Sequence, residues 1–158
     1  MSQFVVIAAL STLRAGDSFS ILRFPLHVTL LPPIESISER ALTDVVARFA
    51  VTAEPFTVEG LNCASFGDRS DIRVIVVNAE PACSMHFALW QEVEAQGAIV
   101  VAPAYSGAGF VPHVTANNQT ALDIGATLRA ESLAVVSMAE LPKVLSVHKF
   151  GLANDEQI

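Results

Sequence analysis

The chain has 158 residues, 52% of them hydrophobic and 16% charged, which is enough apolar material for a sizeable core and marks the chain as globular rather than disordered. Sixteen acidic residues against nine lysines and arginines leave a net charge of −7, which repels polyanions and argues against gripping long nucleic acid by its backbone. No apolar run approaches the roughly 18 residues that span a bilayer, so a membrane partner is not expected.

In chain order, the N-terminal FVVIAAL has no basic residue before it and is soon followed by Arg14 and Asp17, so residues 3–10 read as a first strand rather than a signal peptide. FPLHVTLLPP predicts a second strand over 26–31, ended by Pro32 and Pro33, which cannot donate to a ladder. Ser36 and Glu39 have the spacing of a capping box, and Leu42, Val45, Val46 and Phe49 follow at i, i+3, i+4, i+7, the pattern of an amphipathic helix. Residues 56–66 and 72–78 read as strands, and IRVIVV in the second is apolar enough for a central position. Pro81 opens a second helix with Leu89, Trp90 and Val93 on one stripe. After a stretch rich in Gly and Ala (97–109), FVPHVT predicts another strand; a helix over 119–130 and strands over 132–140 and 144–151 complete the list. No linker, charge block or low-complexity tract divides the chain, so 1–158 reads as a single α+β domain.

Two of these strands carry the same tripeptide. His27 and Thr29 stand in one HVT, His113 and Thr115 in the other. Residues i and i+2 of a strand point to one face, so each strand offers an imidazole and a hydroxyl side by side. A phosphodiester resists attack because its charged oxygens repel nucleophiles and its leaving oxygen departs poorly unless protonated. Two histidines with ordinary pKa near 6.5 can act as base and acid around neutral pH. Two threonine hydroxyls can donate to the non-bridging oxygens as charge develops. No HxxxH or HExxH spacing and no carboxylate cluster joins the histidines, so neither a metal nor another cofactor is expected.

The paired H-x-T motifs, spaced by about half of a chain this size, and the flanking HVTLLPP and F-x-PHVT resemble the 2H phosphoesterase superfamily. That resemblance implies a bilobal fold, with two pseudo-symmetric antiparallel-sheet lobes, helices outside and a central groove lined by both motifs. It also implies catalysis by His27 and His113, with Thr29 and Thr115 binding the phosphate and no metal required. Two departures stand out: Leu30 at the fourth motif position becomes Ala116 in the second copy, and Asn117 and Asn118 occupy the ground where many ligase-like members place an arginine. The second departure weakens the 2′-5′ RNA ligase branch more than the superfamily. The expected activity is metal-independent phosphodiester chemistry on a nucleotide or short oligonucleotide, a 2′,3′-cyclic phosphate being one candidate substrate. The alternatives are a ligase-like enzyme, a nuclease that cleaves cyclic oligonucleotides, and a non-catalytic nucleotide- or RNA-end-binding module.

The remaining candidates have plainer readings. His86 shares a helical stripe with Leu89, Trp90 and Val93 and reads as a packed or boundary histidine, while His148 in LSVHKF reads as lying on a solvated strand face. Tyr105, among flexible glycines, is a candidate to stack on a base, as is Phe110, which could equally pack in the core. Gly107 and Gly109 make no phosphate-loop pattern. Cys63 and Cys83 are too few for a disulfide framework and read as reduced thiols in a cytoplasm. Oligomeric state stays open, with a monomer as the simplest case.

Overall fold

The apolar patterns resolve into two antiparallel sheets and two long helices in a computed structural model, which describes residues 2–66, 72–101, 106–117, 120–139 and 141–151. The elements are β1 (Phe4–Ala9), β2 (His27–Glu35), α1 (Glu39–Thr52), β3 (Phe56–Phe66), β4 (Ile72–Val77), α2 (Ala82–Ala95), β5 (Ile99–Val100), β6 (His113–Thr115), β7 (Thr127–Ala130), β8 (Ser132–Ser137) and β9 (Lys143–Lys149). One sheet has the order β5-β2-β1-β8-β9 and the other β6-β4-β3-β7, so each HVT motif stands in its own sheet. No helix among the described residues is long and apolar enough to cross a membrane.

β1 is buried at every position because its sheet is covered on both faces. Phe4, Val6 and Ala8 join Val28, Leu30, Leu133 and Val135 in the main core, which takes in the buried stripes of α1 and α2. Val5, Ile7 and Ala9 face the other way, where Leu13, Phe19 and Phe24 of the β1–β2 connection lie over them. That connection is pinned to β9 by Gly16 N–H donating to the Val144 carbonyl at 2.8 Å and Val144 N–H donating back to Asp17 at 2.8 Å. It therefore returns to β2 across the sheet face that carries His27.

Four details differ from the sequence reading. β2 does not stop at Pro32 but runs through both prolines to Glu35. The β1–β2 register steps from Phe4↔Ile34 to Val6↔Leu31, so Pro32 and Pro33 oppose the single residue Val5, in an irregular stretch that needs no regular ladder donor. The cap of α1 is Ser38, whose hydroxyl accepts from Ala41 N–H at 3.1 Å; Ser36 instead takes a positive φ of 66°.

The helix expected over 119–130 is not there: 120–126 is non-helical and 127–130 is β7. Leu122, Ile124, Ala126 and Leu128 recur every second residue, a strand period, and Gly125 at φ 85° turns the chain into β7. Finally, His148 is buried rather than solvated. The β8–β9 register slips at Leu145, between Val136↔Val144 and Val135↔Ser146, and this reverses the alternation beyond it. His148 thus stands opposite Leu133 on the core face, with Nε2 2.9 Å from Ser146 Oγ.

Candidate active site

Strand alternation builds both motifs in the same way. Val28 and Val114 are essentially fully buried, anchoring β2 and β6 in the main core, while the His and Thr on either side of each point out of it. β2 and β6 lie next to each other although they belong to different sheets. Pairing with β1 places His27 beside Ala9 and Thr29 beside Ile7; pairing with β4 places His113 beside Val76 and Thr115 beside Val74.

The two imidazoles are held by one local device used twice. His27 Nδ1 lies 2.8 Å from the Pro25 carbonyl oxygen, and His113 Nδ1 lies 2.8 Å from that of Val111. A carbonyl only accepts, so each ring carries its proton on Nδ1 and leaves Nε2 as the basic nitrogen of the neutral form. Each ring also meets a phenylalanine edge to face: Phe24 at 5.0 Å from His27 and Phe66 at 4.5 Å from His113, centroid to centroid. Asn117, two residues past Thr115, donates from Nδ2 to the Phe24 carbonyl at 2.9 Å and so links the chain beyond the second motif to the approach to the first.

Burial pulls the pKa of His27 below 6.5; the Pro25 hydrogen bond opposes this, and the charge of His113 adds to it. His113 is pulled down by burial too, against the Val111 hydrogen bond. The pair therefore favours holding fewer than two protons near neutral pH. No group of three His, Cys, Asp or Glu among the described residues is arranged to hold a metal ion.

The other candidates scatter. Phe110 is partly buried: it lies against the main core and stacks on His86 at 4.0 Å, the packing that the sequence also allowed. Tyr105 lies outside the described residues. His86 is fully buried, the packed of the two positions that the helical stripe allowed. Phe24, Phe66 and the bridging role of Asn117 escaped the sequence reading, since only the fold brings them to the histidines. Ala116 and Val114 line a cavity of about 390 Å³ with Cys63, Arg73 and Asp123; neither motif histidine nor either motif threonine lines it.

The fold is shared with solved structures of low sequence identity. Escherichia coli LigT complexed with 3′-AMP aligns with TM-score 0.64 and 14% identity over 96% of this chain and 99% of that one. A structure described as a phosphoesterase gives 0.65 and 14% over 96% and 100%, and TT0787 of Thermus thermophilus gives 0.60 and 19% over 96% and 98%. No curated protein matches the sequence. The 2′-5′ RNA ligase superfamily matches residues 5–157, nearly the whole length, and the chain belongs to that family of 2H phosphoesterases.

Proposed function

We propose that this protein is a metal-independent phosphodiesterase in which His27 and His113 act as general base and general acid on a small nucleotide or short oligonucleotide. The observation that carries the reading is the matched anchoring of the two rings. Each Nδ1 is committed to a backbone carbonyl at 2.8 Å, so each Nε2 is the atom left for proton transfer. On a 2′,3′-cyclic phosphate, the neutral histidine takes a proton from water as its oxygen bonds to phosphorus. The protonated histidine gives its proton to the ribose oxygen whose P–O bond breaks. Thr29 and Thr115 donate hydrogen bonds to the non-bridging oxygens. The histidines exchange roles when the reaction runs backwards, as microscopic reversibility requires.

Small substrates are supported by the net charge of −7 and by the relatives, since E. coli LigT structures are complexed with 3′-AMP, ATP and NADP+. Family membership favours a second reading, formation or cleavage of 2′-5′ linkages, which draws on the same four side chains. Two free thiols, Cys63 and Cys83, fit a reducing cytoplasm.

The test is product analysis with the four 2′,3′-cyclic nucleotides in the presence of chelator, comparing wild type with His27→Ala and His113→Ala. Turnover lost in both variants is the expected result, and the 2′- or 3′-phosphate formed identifies the bond that breaks. Turnover surviving in either variant eliminates the two-histidine mechanism. A wild type inert on all four substrates, but active on 2′-5′-linked oligonucleotides, selects the second reading.

A further inference from the structure

His86 sits in the second turn of α2 with 0% exposure, and both of its ring nitrogens are engaged. Nδ1 lies 2.6 Å from the Leu30 carbonyl oxygen, and Nε2 accepts from Gly107 N–H at 2.9 Å. A backbone N–H can only donate and a carbonyl can only accept, so Nδ1 holds the proton, Nε2 is bare and the ring is neutral.

The two backbone groups bridged by this ring belong to opposite halves of the candidate site. Leu30 directly follows Thr29. There the β1–β2 register steps from Val6↔Leu31 to Ile7↔Thr29, leaving Leu30 without a partner on β1. Gly107 opens a short 3-10 turn, Gly107–Gly109, that runs through Phe110 to His113. Phe110 lies flat on the His86 ring, with centroids 4.0 Å apart and planes within 5°. Gly107 has φ 59°, and a Cβ there would stand 2.6 Å from the Trp90 ring, so a glycine is what lets its N–H come this close.

We propose that His86 is a positioning residue. One buried imidazole bridges the strand carrying His27 to the turn carrying His113, and so sets the separation of the two acid–base groups without touching substrate. This inference rests on the two-histidine reading of the site. An error of about 1 Å in a reacting group costs on the order of 100-fold in rate, so the bridge should be felt mainly in kcat.

His86→Phe keeps a flat ring for Phe110 and removes both hydrogen bonds; His86→Gln keeps an amide that can replace one of them. Kinetics on a 2′,3′-cyclic nucleotide hydrolysed by the wild type should show kcat reduced about 10- to 100-fold in His86→Phe, with KM changed less than about threefold and partial recovery in His86→Gln. A His86→Phe protein with native circular dichroism and kcat within about twofold of wild type would overturn the proposal.

A second readout needs no turnover. The charge of His113 lowers the His27 pKa, so His113→Gln should raise it, and NMR titration of His27 measures that rise as a gauge of ring spacing. The rise should shrink in a His86→Phe background, or in His86→Gln if the Phe variant does not fold; an undiminished rise overturns the proposal. A wild type that turns over neither a cyclic nucleotide nor a 2′-5′ linkage counts against the two-histidine reading, while the NMR cycle still decides the role of His86.

Discussion

Asn117 Nδ2 donates to the Phe24 carbonyl at 2.9 Å, joining the turn after the second HVT to the segment just ahead of the first. The same side chain closes its own turn, because Oδ1 accepts from Thr120 N–H at 2.7 Å and from Thr120 Oγ1 at 3.2 Å. Phe24 in turn packs on His27. One amide therefore couples the loop order near His113 to the ring position of His27. Asn117→Asp keeps both acceptor contacts to Thr120 and removes the donor to Phe24. We expect kcat/KM on a cyclic nucleotide to fall about tenfold in this variant, the effect of about 1.4 kcal/mol lost between the lobes. Asn117→Ala loses the turn as well and should also show a lower melting temperature. Unchanged kinetics in Asn117→Asp would show that the link does not reach the chemistry.

The pH dependence of catalysis follows from the shared direction of the two histidine shifts. The pH dependence of kcat/KM reports the free enzyme, in which the proposed mechanism needs one ring neutral and the other protonated. His27 and His113 both lie below 6.5, so the bell for kcat/KM should centre on the acid side of that value. A bound phosphodiester anion favours imidazolium, so the bell for kcat should lie at higher pH than the bell for kcat/KM. Initial rates across the acid to neutral range check both statements. A kcat/KM optimum in the alkaline range would contradict them.

Acid should also destabilise the protein. Burial lowers the pKa of His27, His86, His113 and His148 alike, so at each the unfolded chain binds a proton more readily than the folded one. Stability is then fully present above the unfolded pKa near 6.5, declines as pH falls through it, and stops declining below the folded values. Each histidine contributes a slope of up to about 1.4 kcal/mol per pH unit inside that window. Thermal melts should show the melting temperature falling steadily between about pH 7 and about pH 5. His148→Gln should flatten the curve, since that residue lies in the core away from the candidate site. A melting temperature independent of pH across the window would refute the argument.

The motif strands were legible because Pro-flanked apolar runs and an i, i+2 pairing of His with Thr are local signals. So were β1, β3, β4 and the stripes of both helices. What escaped were the register irregularities. The bulges at Leu30 and Leu145 carry no composition of their own, and the prolines of the one at Pro32–Pro33 read as a strand end; yet these irregularities decide how far β2 runs, where His86 docks and which way His148 faces. Contacts between distant segments escaped as well: Asn117 with Phe24 is 93 residues apart in sequence and His86 with Leu30 is 56 apart, beyond the reach of any local period. The segment 120–130 misled for a different reason: its helix-forming residue types hid an alternation that belongs to a strand.

Gly60 offers a test of how the second motif is anchored from behind. It lies in β3 at a register shift, where its N–H donates to Ala126 at 3.1 Å and its carbonyl accepts from Gly125 N–H at 2.8 Å. These bonds dock the connection between Asn117 and β7 against the sheet that carries β6. A Cβ at position 60 would stand 2.5 Å from the Asp123 carbonyl oxygen and 3.1 Å from Ile75 Cγ2. The first of these is backbone and accepts from Ala126 N–H at 3.0 Å, so it cannot swing aside as a flexible side chain would. Gly60→Ala should therefore destabilise the fold by about 1–3 kcal/mol, roughly 2–12 °C in melting temperature for a chain of this size. Because the displaced connection leads back to the Asn117 turn, kcat/KM measured well below the melting temperature should fall as well. A variant that melts like the wild type would show that the connection gives way freely and takes no part in holding β6.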